Sequence, residues 1–198
     1  MTTPPTRQRG RGHDPESVLH TAVTVFNERG YDGTSMEDLA RALGVTKSAI
    51  YYHVPGKEQL LARALDRALE GLFTMIADPM AVSGPAITRL EWVVRRSVSI
   101  LVERLPYVTL LLRVRGNSAT EQDALERRRE FDRFVSHLVK EAAAEGHIRP
   151  DVDPALVTRL LFGTVNSITE WYQPSRGGSA DELADAILTI AFDGLRTR

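Results

Sequence analysis

Lys47, Ser48, Tyr51, Tyr52 and His53, all hydrogen-bond donors or flat aromatic surfaces, are crowded onto a short stretch that has only Val45, Ala49 and Ile50 to bury. A helix used purely for packing does not carry that balance. Donors near a helix start can meet base edges in a DNA major groove, and their neighbours can meet phosphate oxygens. The chemistry these residues suit is recognition of nucleic acid.

Signals for bond-making chemistry are weak by comparison. The histidines are His13, His20, His53, His137 and His147, with no metal-ligand spacing beyond His137 and Glu141 one helical turn apart. Neither a G-x-S-x-G nucleophile motif nor an H-E-x-x-H signature occurs. No catalytic residue, metal or cofactor is therefore expected.

A second concentration of charge lies at Arg113, Arg115, Arg127 and Arg128, around a turn between two helices. Arg127 and Arg128 project to the side of Phe131, Phe134 and Leu138. Two readings stand: surface salt bridges with Glu121, Asp123, Glu126 and Glu130, or a receptor for an anionic ligand group at the mouth of an apolar pocket, since guanidinium forks suit carboxylate and phosphate. Ser97 and Thr164 sit on apolar arcs, as pocket hydroxyls or as satisfied core hydroxyls. Asn166, Glu170 and Arg159 project to an opposite, solvated face.

The elements that must position the donor-rich stretch are legible on either side of it. Thr34 with Glu37 reads as a capping box, and Met36, Leu39, Ala40 and Leu43 follow at helical spacing. Gly44 ends that helix, because glycine tolerates the left-handed conformation of a C-terminal turn. Thr46 then caps a second helix, which Pro55 stops. Two short helices joined by a glycine turn make a helix-turn-helix, whose second member enters the major groove while the first crosses the backbone.

With these residues in place, the run GVTKSAIYYHVPGKEQL, within a match over residues 15–65, resembles the N-terminal domain of the tetracycline-repressor (TetR) family of bacterial transcription regulators. The resemblance implies that Thr46, Lys47, Ser48 and Tyr52 reach bases and that Tyr51, His53 and Lys57 bind phosphates. Two positions depart from the family pattern. Val54 replaces a large aromatic residue, and Gly56 replaces a Ser or Asn cap for the next helix; neither alters the groove-facing set.

Upstream, Asp14, Pro15 and Glu16 open a helix with an apolar stripe of Val18, Ala22, Val25 and Phe26, which covers the helix-turn-helix together with Tyr31 and Met36. Before it, Arg7, Arg9 and Arg11 stand in a Pro- and Gly-containing tail, expected to be disordered, that is either a basic arm for DNA or a solubilising terminus. Downstream, a long helix begins after Lys57 and runs through Leu60, Leu61, Ala64, Leu65, Ala68, Leu69, Leu72, Phe73 and Ile76. It is a stiff lever from the small domain into the large one. Residues 78–85 form a loop, and helices follow over 87–105, 107–114 and 120–145. Asp153 with Pro154 opens the next helix, and Ser179 with Glu182 opens the last.

Those last two helices are apolar over too wide an arc for one packing surface. Leu156, Val157, Leu160, Leu161, Val165, Ile168, Trp171 and Tyr172 spread over half a cylinder, as do Leu183, Ile187, Leu188, Ala191, Phe192 and Leu195. They either form a four-helix dimer interface with their symmetry copies or lie buried within a monomer.

The chain of 198 residues, 42% hydrophobic and 26% charged, has ordinary globular composition and a net charge of -1, without the overall basic excess usual in nucleic-acid proteins. Without cysteine it has no disulfides, and without a signal-peptide run or a membrane-length apolar segment it reads as cytoplasmic, with no membrane partner.

The expected fold is all-α: a basic tail over 1–13, a three-helix DNA-binding domain over 14–58, and a helical ligand-binding and dimerisation domain over 59–198. The expected function is a homodimeric, ligand-responsive regulator, most often a repressor in the family, on a palindromic double-stranded operator. The rivals are a helical ligand-binding protein without DNA binding and a helical enzyme. EWYQP followed by SADELAD resembles the C-terminal region of acyl-coenzyme A-responsive members, so the expected effector is a large amphipathic anion of that kind. Ile87, Ser97, Leu101, Leu110, Phe134 and Val165 are the candidate channel lining, with Arg113, Arg127 and Arg128 at its mouth.

Overall fold

The structure is a computed structural model that describes residues 14–195, so the basic tail lies outside the described residues. Among these residues there are ten helices and no strand. The chain divides into two compact units after Leu60.

In the first unit α1 (Pro15–Arg29) starts on the Asp14 side chain, which accepts from Ser17 N–H, with Pro15 in the first turn. α2 (Met36–Leu43) starts one residue later than the capping box read from the sequence. Ser35 and Asp38 form the reciprocal box, whereas Thr34 is buried and donates its hydroxyl proton to the Gly30 carbonyl at 2.7 Å. Two Ser/Thr-to-acid frames overlap at this point, and burial of Thr34 selects the second. Glu37 is thereby released from capping.

Gly44 ends α2 in the left-handed conformation at φ 66°, and Val45 N–H reaches back to the Ala40 carbonyl at 3.0 Å. This is the turn the glycine was expected to make. α3 (Lys47–His53) starts on Thr46, whose hydroxyl accepts from Ala49 N–H. Phe26, Leu39, Ile50 and Val54 are buried in the small core these helices share; Tyr31 and Met36 are only half-buried, and Tyr31 meets Phe26 edge-to-face at 5.2 Å.

α4 (Lys57–Ile76) begins in the first unit and continues into the second as one uninterrupted helix. The expected loop after it contains a single-turn helix, α5 (Pro79–Val82), capped by Asp78. α6 (Ala86–Glu103) is the centre of the second unit and packs against α8 (Ala119–Ala144), α9 (Pro154–Trp171) and α10 (Ala180–Leu195). Between α6 and α8, α7 (Leu105–Arg113) starts two residues earlier than expected, because Pro106 fits the first turn of a helix, where no intrahelical N–H is needed. α4 approaches α6 closely at Gly71, where a Cβ would lie 2.8 Å from Ile100 Cγ2.

The turn between α7 and α8 depends on Glu121. This carboxylate is 4% exposed and accepts from the N–H groups of Arg115, Gly116 and Asn117 at 2.9, 2.8 and 3.1 Å. It pairs with none of the nearby arginines. Replacing it with alanine leaves three donors without their acceptor, so Glu121→Ala should lower the unfolding free energy by about 2–3 kcal/mol. Urea denaturation measures this, and an unchanged midpoint would show that solvent satisfies the turn equally well.

Candidate nucleic-acid interface and ligand cavity

α3 is anchored through one face. Ile50 and the following Val54 are essentially inaccessible, while Lys47 and Ser48 are exposed and Tyr51 and Tyr52 are 45% and 89% exposed. A tyrosine that open to water buries little of its own surface in the fold, and its ring and hydroxyl are of the kind that meet base edges or sugar. Thr46 is exposed at the helix start, though its hydroxyl is committed to the cap. His53 closes the helix; its side chain lies outside the described residues.

Lys47 and Lys57 are both engaged within the protein. Lys47 Nζ lies 2.8 Å from Glu37 Oε1 on α2, with both side chains largely in solvent. Lys57 Nζ donates to the carbonyls of Tyr31 and Thr34 at 3.0 Å each, reaches that of Asp32 at 3.5 Å, and sits 4.4 Å from the centre of the Tyr31 ring. The expected phosphate ligand is thus turned onto the α1–α2 connection, where its charge braces the backbone. That role was not visible in the sequence, because the three carbonyls come from a turn more than twenty residues upstream.

The second unit holds an apolar cavity of about 60 Å³. Ala68 and Leu72 of α4, Ile100 and Leu101 of α6, Leu111 and Leu112 of α7, and Phe131 and Phe162 form its walls. Its polar groups are Ser97, Arg128, Asp132 and Asn166. Of the ligand residues expected from the sequence, Ser97, Leu101, Arg128 and Val165 are brought together here. Leu110, Arg113, Arg127, Phe134 and Ile87 are not part of this lining.

Four of these absences have a geometric reason. Leu110 is buried, but it stands about 200° around α7 from Val108, which faces the cavity. Arg127 is bound to Asp66 at 2.7 Å and lies over the Phe73 ring, so it forms a salt bridge, but with a partner on α4 rather than with Glu121, Asp123, Glu126 or Glu130. Arg113 is exposed at the end of α7, and Phe134 is half-buried off the Phe131 arc. Thr164 is likewise exposed, its hydroxyl bonded to the Leu160 carbonyl, whereas Asn166, read as solvated, lines the cavity beside Phe162 and Val165. The two polar residues exchanged roles because α9 buries a different half of its wide apolar arc.

Arg128 is half-buried, and loss of water lowers its guanidinium pKa; its one polar contact at hydrogen-bond range among the described residues is the Leu111 carbonyl at 3.5 Å. Desolvation also pushes the Asp132 carboxyl above the usual carboxylate range, against the attraction of Arg128 and Arg159. The cavity is therefore apolar with a few polar groups in its lining, the arrangement typical of a small-molecule site. No cluster of metal-ligating side chains occurs among the described residues, and no described helix is long and apolar enough to cross a membrane.

An all-helical chain with a donor-bearing helix in one unit and a cavity in the other has the form of a ligand-responsive DNA-binding regulator. Residues 18–64 match the family of bacterial regulatory proteins of the tetR type, and residues 83–195 match the tetracyclin repressor-like C-terminal domain. The chain belongs to the TetR family and is a DNA-binding transcription regulator.

Its relatives include a TetR regulator of Streptomyces coelicolor A3, SCO3833, whose crystal structure is 55% identical with a TM-score of 0.86 and covers 96% of this chain and 98% of that one. The repressor KstR2 of Rhodococcus jostii is 28% identical over 98% of each chain. AibR, solved in complex with isovaleryl coenzyme A and operator DNA, is 26% identical with a TM-score of 0.76, covering 90% of this chain and 97% of that one.

The position of Lys57 yields a test. Lys57→Met should lower the unfolding free energy by about 1–3 kcal/mol, the worth of charge-assisted hydrogen bonds. A variant of unchanged stability whose DNA binding loses about 0.9 from its salt slope would instead return Lys57 to the phosphate contacts.

Proposed function

We propose that this regulator is a homodimeric repressor of a palindromic operator and is released by an acyl-coenzyme A thioester. The observation that carries the effector is the cavity, where apolar walls suit an acyl chain and Arg128 stands desolvated with a single long hydrogen bond. The bound isovaleryl coenzyme A of AibR supports the same class of ligand. At about 60 Å³ the cavity is well below the roughly 300–1,000 Å³ of pockets that enclose small molecules, so entry displaces side chains such as those of Leu72, Leu112 and Phe162. Binding and rearrangement are then one event, and the differential affinity of the ligand for the opened state sets how far the equilibrium moves. A catalytic role has no residue to support it.

The dimer rests on α9 and α10, through apolar residues that their own chain leaves exposed rather than through Leu161 and Phe192. Leu161 and Phe192 are buried within the chain itself, at 3% and 2% exposure. Leu156, Leu160 and Trp171 remain exposed on α9, with Gly163 open beside them, and Ile190 is 78% exposed on α10. Isolated large apolar residues at a surface are ordinary, but a stripe at helical spacing containing a glycine suits the close approach of a symmetry-related helix.

The experiment that tests the effector is release of a selected operator by a series of acyl-coenzyme A species. Arg128→Met should weaken their effect roughly ten- to hundredfold. Release by an uncharged hydrophobic compound at low concentration, with acyl-coenzyme A inert, would exclude the thioester. For the dimer, Leu160→Glu and Ile190→Glu should each sediment as folded monomers. Leu161→Glu and Phe192→Glu should instead destabilise the fold by about 4 kcal/mol or more. A Leu160→Glu dimer of wild-type affinity would place the interface elsewhere.

A further inference from the structure

The contact between Lys47 and Glu37 bears on how the DNA-reading unit chooses its sequence. Glu37 is free to make it because Ser35 and Asp38 complete the α2 capping box without it. Lys47 opens α3, and its ammonium meets Glu37 Oε1 at 2.8 Å, with the two side chains 56% and 63% exposed. Glu37, Lys47 and Tyr51 line one open depression, and among the described residues no other acid is paired with Lys47. The hydrogen bond from Lys47 holds the Glu37 carboxyl below the usual carboxylate range and raises the Lys47 pKa, so both are ionised at neutral pH.

We infer that Glu37 is a specificity-determining residue, which holds Lys47 away from phosphates and yields it only to a base edge with matching acceptors. A lysine ammonium is a point charge that any phosphate along a duplex can recruit, and that term is independent of sequence. With Glu37 in contact, transfer of Lys47 to a phosphate breaks one ion pair to make another, while the carboxylate itself repels the backbone. A guanine edge offers two acceptors, O6 and N7, and no charge to repel Glu37. Random DNA is therefore penalised more than the operator. Because the pair is exposed, its contribution to folding is small.

This inference rests on Lys47 reading bases in the family's manner. Its test measures binding by fluorescence anisotropy, over a series of salt concentrations, to an operator selected by the wild-type protein and to a scrambled duplex. Glu37→Gln should strengthen scrambled-duplex binding roughly two- to fivefold, the scale of one exposed ion pair. Operator binding should change less, so the specificity ratio falls. The salt slope on scrambled DNA should steepen by about 0.9 as Lys47 is freed to neutralise a phosphate. In a Lys47→Met background the same substitution should shift the ratio by less than about half as much, and Glu37→Ala should repeat the Glu37→Gln result.

Thermal melting of Glu37→Gln should match wild type, which separates the effect from folding. An unchanged ratio and slope in Glu37→Gln, with a wild type that selects an operator, overturns the inference and leaves DNA reading intact. A change that persists undiminished without Lys47 overturns it as well. A wild type that enriches no sequence overturns both.

Discussion

Everything in the DNA-reading unit follows from the shortness of α3. A helix of seven residues is far below the length at which helices persist alone in water, so its stability comes from tertiary contact. Yet its function needs most of its surface left open. Ile50 and the neighbouring Val54 therefore carry its attachment, while Thr46 supplies the first-turn cap. The left-handed Gly44 sets the direction from which α3 leaves α2, and Phe26, Leu39 and Ile50 are all buried in this unit. Lys57 then pins the α1–α2 connection from the far end of the same unit.

The second unit solves the opposite problem. Its helices are long enough to bury a large apolar surface, and a perfectly filled interior would have no use for a ligand. Ser97, Arg128, Asp132 and Asn166 are the polar members of the lining of a small cavity. Desolvation moves the pKa of Arg128 down and that of Asp132 up, toward the uncharged form in each case. Ala68 and Leu72 bring α4 into the cavity wall, and α4 is the helix that begins at Lys57. The first turn of α4 belongs to the DNA-reading unit.

Where the sequence misled, the cause was competition between local signals of similar strength. The Thr34 and Ser35 frames both satisfy the capping pattern, and only packing of Thr34 under Gly30 chooses between them. On α9 an apolar arc of half a cylinder offers two possible inner faces. Burial of Val157, Leu161, Phe162 and Val165 turns Asn166 inward and leaves Leu160 and Thr164 outside. Charge gave the poorest guidance. Arg127 and Arg128 are adjacent and project to similar sides, yet one is consumed by Asp66 and the other lines the cavity.

The sequence by itself determined the all-helical class and the helix-turn-helix, because those depend on caps, a turn glycine and apolar spacing within a few residues. Local rules act over one or two helical turns, and the chain obeys them without ambiguity at Gly44, Thr46 and Asp153. Only the tertiary structure decided which charges are spent. Lys57 on the 31–34 carbonyls, Glu37 on Lys47 and Arg127 on Asp66 are pairings across separate elements, and long flexible side chains reach any of several partners until packing fixes the distances.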